Sequence, residues 1–90
     1  NMQSYKLTVE ILQKGAYESN DYRLFINDEL FLERPYNLLA HYSHQKVHVN
    51  LYLDNGPNAI NLQNINGNLV LGKINIDNKE IEHTNGYFEL

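Results

Sequence analysis

Apolar and polar residues alternate along most of this chain, with a period of two. Tyr5, Leu7, Val9 and Ile11 are separated by Lys6, Thr8 and Glu10, the pattern of a strand with one buried and one wet face. A polar connection runs from Lys14-Gly15 to Asn20-Asp21, and then the runs Tyr22 to Ile26 and Glu29 to Arg34 flank Asn27-Asp28. Asn and Asp tolerate positive φ, so this segment reads as a tight hairpin. Pro35 cannot donate to a ladder and ends its second strand. Residues 35 to 45 show no clean period. Tyr36 to Tyr42 is too short and uncapped for a helix, so the segment reads as a long loop with room for a 3₁₀ turn.

The second half is more regular. Val47, Val49, Leu51 and Leu53 alternate with His48, Asn50 and Tyr52. Asp54-Asn55-Gly56-Pro57-Asn58 is a turn, Ile60 and Leu62 alternate with Asn61 and Gln63, and Asn66-Gly67 turns the chain again. Leu69 to Ile76 reads as a strand and Asp77-Asn78 as a turn. Ile81, His83 and the Asn85-Gly86 turn then lead to Tyr87-Phe88-Glu89-Leu90. From residue 54 onward the turns recur every eight to twelve residues or roughly so, the spacing of an antiparallel meander. Helical crossovers of a βαβ fold have no room here. The pattern predicts a single all-β domain over 1–90, a small antiparallel β-sandwich or jelly-roll-like domain of about seven short strands. A meander and a jelly roll share these local signals, so strand order stays open.

Composition narrows the function more than the fold. The 90 residues are 42% hydrophobic and 20% charged, which suits a folded globule and not a disordered chain. There is no cysteine, which removes disulfides, thiol chemistry and the usual structural zinc sites, and fits a reducing, cytoplasmic setting. A formal charge of -4 with seven Lys and Arg argues against nucleic acid or an anionic membrane as partner. No apolar run approaches a membrane span, and the first residues lack the basic-then-apolar layout of a signal peptide. Asn1-Met2 reads as one tag residue before a start Met, which predicts a complete small open reading frame. Fourteen Asn against three Ala is poor helix material and good turn material.

Candidate chemistry is sparse. His41, His44 and His48 give H-x-x-H-x-x-x-H, which on a helix would share one face. Here the first two fall in the loop and the third on a strand, so solvated His is the simpler reading and no metal or other cofactor is expected. Glu29 and Glu33 lie close in the hairpin beside Arg34, where facing carboxylates could make a general acid. Such residues most often sit at a charged strand edge that discourages wrong pairing, and that is the reading taken here. Ser4, Ser19 and Ser43 have no nucleophile-elbow context, and no assembled catalytic site is legible. The oxygen-rich stretches Asp54 to Asn58 and Asn64 to Asn68 lack the full acidic loop of a calcium site, and turn chemistry explains both.

Two surfaces remain. His48, Asn50 and Tyr52 share one strand face, and Asn61 and Gln63 share one on the next strand. Paired through the 54–58 turn, all five would form a flat patch of amides, a ring and an imidazole, suited to stacking on and hydrogen-bonding a glycan. The hairpin at 22–34 offers the other surface, because it is apolar on both faces. Leu24 and Ile26 point one way, Phe25 the other, and Leu30, Phe31 and Leu32 continue the conflict. Leu69 and Leu71 flanking Val70 raise the same problem. In a short chain without staples, burial by self-association through Phe25, Leu30 and Leu32 is the expectation.

The stretch from Tyr22-Arg23 through Asn27-Asp28-Glu29-Leu30 to Glu33-Arg34 resembles a segment of short uncharacterised proteins from marine bacteriophages, especially those infecting cyanobacteria. Pro35-Tyr36 differs from the Thr-Trp-like continuation of that family. Val47 to Leu62 is similar in pattern to the closing strands of galactose-binding-like jelly rolls. The phage resemblance implies a setting, in the host cytoplasm or the virion, and no mechanism. Together these features lead us to expect a non-enzymatic interaction or structural protein that forms a homo-oligomer and binds a protein, with a carbohydrate-binding module as the alternative.

Overall fold

The structure, a computed structural model, describes residues 1–12, 22–34, 44–64 and 70–90. Among them there is no helix, and so none long and apolar enough to cross a membrane. Eight strands run in chain order: β1 (Gln3–Leu12), β2 (Tyr22–Ile26), β3 (Glu29–Arg34), β4 (His44–Leu53), β5 (Ala59–Asn64), β6 (Val70–Ile76), β7 (Lys79–Ile81) and β8 (Tyr87–Glu89). They form two antiparallel four-stranded sheets, β4-β1-β6-β7 and β3-β2-β5-β8. The all-β sandwich expected from the alternation is the fold found, with eight strands in place of about seven.

The core is the sum of the inward rows. Leu7, Val9 and Ile11 of β1 meet Leu51 and Leu53 of β4 and Ile74 and Ile76 of β6. Tyr22 and Leu24 of β2, Ile60 and Leu62 of β5 and Phe88 of β8 supply the other sheet. Three tight turns do what their side chains allow. Asn27 and Asp28 adopt φ of 51° and 66°, Asp77 and Asn78 adopt 50° and 67°, and Asn85 and Gly86 adopt 49° and 86°. Two successive left-handed residues make the twisted turn that joins antiparallel strands. At Gly86 an added Cβ would lie 2.5 Å from the Leu62 carbonyl oxygen, so only glycine fits there.

Three expectations are corrected. The second half is not a meander: only β6 and β7 are joined there as a hairpin, while β4–β5, β5–β6 and β7–β8 connect strands of different sheets. A period of two fixes which face is wet but not which neighbour a strand takes, and β1 fills the inner side of β4 over ten residues. The long loop is also shorter than 35–45, since His44 and Gln45 already pair with Leu12 and Ile11. Finally, the two-faced hairpin is resolved by a bulge. Leu24 pairs with Leu32 and Phe25 with Leu30, so Phe31 is the extra residue and the parity of β3 flips there. Leu32 therefore packs inward against the core, while Phe25 and Leu30 lie together on the outer face. The connection from Lys14 to Asn20, the 3₁₀ turn, Leu69 and the Asn66-Gly67 turn lie outside the described residues.

Candidate functional site

The five-residue glycan patch does not assemble. β4 and β5 belong to different sheets, so His48, Asn50 and Tyr52 face out from one side of the sandwich and Asn61 and Gln63 from the other. Residues 54–58 carry the chain between the sheets and do not form a hairpin. Asn58 holds that crossing. It is 7% exposed, its amide donates to the Asp54 carbonyl at 2.9 Å, and its side-chain oxygen accepts from Asn27 Nδ2 at 2.9 Å. Its backbone exchanges two hydrogen bonds with Leu90. Asn27 Oδ1 in turn accepts from the Ala59 N–H. The oxygen-rich turn is thus spent on the fold, as buried polar groups must be.

The histidines separate in the same way. His48 Nδ1 lies 3.0 Å from the Thr8 hydroxyl. Thr8 is only 8% exposed, so this hydroxyl is held against the sheet and not presented to a reactant. His83, which the sequence only placed ahead of the Asn85-Gly86 turn, has a structural task. Gly86 N–H donates to its Nδ1 at 3.0 Å, so its proton is on Nε2, 2.8 Å from the Gly72 carbonyl. Gly72 sits in a bulge of β6 opposite β1, and the adjacent Lys73 N–H donates to Glu10 Oε1. The Glu10 carboxylate thus satisfies a group that the bulge takes out of the ladder, and the His83 ring takes up the Gly72 carbonyl just past the end of β7. Among the described residues no group of three His, Cys, Asp or Glu could hold a metal ion. His41 lies outside them.

The carboxylates of the hairpin are not brought face to face. Glu33 pairs with Arg23 across β2–β3, Nε to Oε2 at 2.6 Å, whereas Glu29 stands opposite Ile26 beyond the bulge. On the outer face of the same sheet, Tyr87 donates to Glu89 Oε1 at 3.1 Å. That hydrogen bond and the charge of the carboxylate raise the phenol above its usual pKa.

What does come together is a groove of mixed character that gathers most of the exposed large apolar side chains. Met2, Leu30, Phe31 and Tyr52 line one groove where β3 and β4, edge strands of opposite sheets, run along the same side of the sandwich. They are 59%, 55%, 41% and 56% exposed, and among the described residues Tyr87 is the only other large hydrophobic side chain left so open. The groove holds about 350 Å³, with Glu29 and Asp54 among its lining residues. A second groove of about 380 Å³ adjoins it at Phe31 and is lined by Tyr22, Leu32, His48, Val49 and Asn50. Of the three residues expected to form an interface, Leu30 lines the first groove, Leu32 packs against the core and lines the second, and Phe25 is half-buried on the outer face. The sequence showed Phe31 only as part of the two-faced hairpin and Met2 only as a start residue, and placed neither at an interface. Comparison with protein-family models, curated proteins and solved structures found no match.

Proposed function

We propose that this protein is a small non-enzymatic interaction module that acts by associating with itself and with another protein. The observation that carries the reading is the collection of Met2, Leu30, Phe31 and Tyr52 along one side of the sandwich. Single exposed apolar side chains are ordinary on a protein surface, but a contiguous group of them marks a place where another surface docks. Ninety residues without a disulfide also gain more from covering such a group than a larger domain would. The resemblance of the hairpin to phage proteins supports a search for partners among phage and host proteins.

His48, Asn50 and Tyr52 supply the second reading, a glycan-binding face, because an exposed ring stands beside an exposed amide on one strand. The two are separated by absolute mass, measured by light scattering over about a hundredfold range of concentration. Self-association gives a mass rising above the 10.5 kDa of one chain. Phe31→Asp then returns it to that of the single chain without loss of fold. A single-chain mass throughout, with retention on a glycan array, would overturn the first reading in favour of the second.

A further inference from the structure

We propose that β4 pairs antiparallel with β4 of a second copy, about a two-fold axis that passes through Asn50. This rests on the self-association reading and specifies its geometry. The two sheets have four edges, at β4, β7, β3 and β8. An unpaired edge invites strand addition, and proteins protect theirs by shortness, bulges, proline or charge. β7 and β8 have three residues each, and β3 has six interrupted by the bulge at Phe31. β4 is different. Its ten residues pair with β1 without a register shift, contain no proline or glycine, and carry one charged side chain, Lys46. It is the one long edge left undefended among the described strands.

The register follows from the hydrogen bonds and the charges. Alternate residues of β4 spend their backbone groups on β1, and the others point outward. Two identical edges bond only when outward residues meet outward residues, so the axis passes through a residue and not between two. An axis at His48 sets two imidazoles against each other and Lys46 against Asn50. An axis at Val49 sets Lys46 against Tyr52. An axis at Asn50 sets Lys46 opposite the second copy's Asp54 at both ends of the ladder. Asp54 is exposed just past the strand end and continues the outward row of Lys46, His48, Asn50 and Tyr52. In that register Asn50 faces its own copy, an amide pair that can donate and accept both ways. His48 covers Tyr52, and the half-buried Val47 and Val49 meet Leu53 and Leu51 of the copy. The charge match selects this axis. The product is a continuous eight-stranded sheet, with the grooves at Phe31 brought toward the joint.

The chain has no cysteine, so single substitutions report the register cleanly. Asn50→Cys should form a disulfide dimer with itself under mild oxidation, because directly opposed strand residues fall within bridging distance. His48→Cys and Tyr52→Cys should each stay single alone and cross-link when mixed. Lys46→Asp or Asp54→Lys should weaken the dimer about tenfold, and the double exchange should restore it. A dimer by mass whose Asn50→Cys form fails to cross-link, or whose His48→Cys form cross-links with itself, overturns this geometry and leaves self-association standing. A single-chain mass for the wild type at every concentration overturns both.

Discussion

At the scale of single residues, the most consequential side chain is an asparagine. Asn58 ties the crossing between the sheets to the β2–β3 turn through Asn27, to Asp54, and to the last residue of the chain. Alanine there would take the partner from the Asn27 amide and from the Asp54 carbonyl, removing two part-buried hydrogen bonds. The expected cost is about 1–3 kcal/mol of unfolding free energy, seen as a lower urea midpoint with unchanged slope. An unchanged midpoint would mean that water replaces the side chain at no loss. This role was not legible beforehand. Fourteen Asn look alike along the chain, and turn residues and buried ties share one composition. The three turns at Asn27-Asp28, Asp77-Asn78 and Asn85-Gly86 were legible, because positive φ depends on the residues themselves.

At the scale of an element, β3 shows how a correct local observation can leave the structure undecided. Its Leu30, Phe31 and Leu32 cannot all obey a period of two, and the sequence showed the conflict without its resolution. The bulge sends Leu30 outward and keeps Leu32 against the core, although the two are separated by one residue and a regular strand would set them on the same face. Lysine at the two positions should therefore behave oppositely. Leu32→Lys buries a charge beside Leu24 and should lower stability by about 1–3 kcal/mol, while Leu30→Lys should stay within about 0.5 kcal/mol. Urea unfolding of both variants, at a dilution where the mass is that of one chain, makes the comparison. Equal losses would mean that β3 lacks the bulge in solution. The same limit explains the failed glycan patch, since faces were read correctly on β4 and β5 but their adjacency was assumed.

At the scale of the whole molecule, neighbours in each sheet are seldom neighbours in sequence: β1 lies between β4 and β6, and β5 between β2 and β8. Stability then depends on closing the sandwich from its ends. The last strand does this three ways. It pairs with β5 through Ala59, Ile60 and Asn61, places Phe88 in the core at 5% exposure, and is followed by Leu90, which holds Asn58 by two backbone hydrogen bonds. Losing a buried Phe alone costs about 3–5 kcal/mol, against a total of about 5–15 kcal/mol for a folded domain. Removing residues 87–90 adds the exposed β5 edge and the loosened crossing to that loss. The shortened chain should therefore be unfolded at room temperature, with collapsed dispersion in its proton NMR spectrum, whereas Phe88→Ala in the full chain should stay folded with a reduced melting temperature. A well-dispersed spectrum from the shortened chain would mean that the inward rows of β1, β2, β4, β5 and β6 suffice without closure. In that case the core of this small domain is more self-sufficient than its size implies.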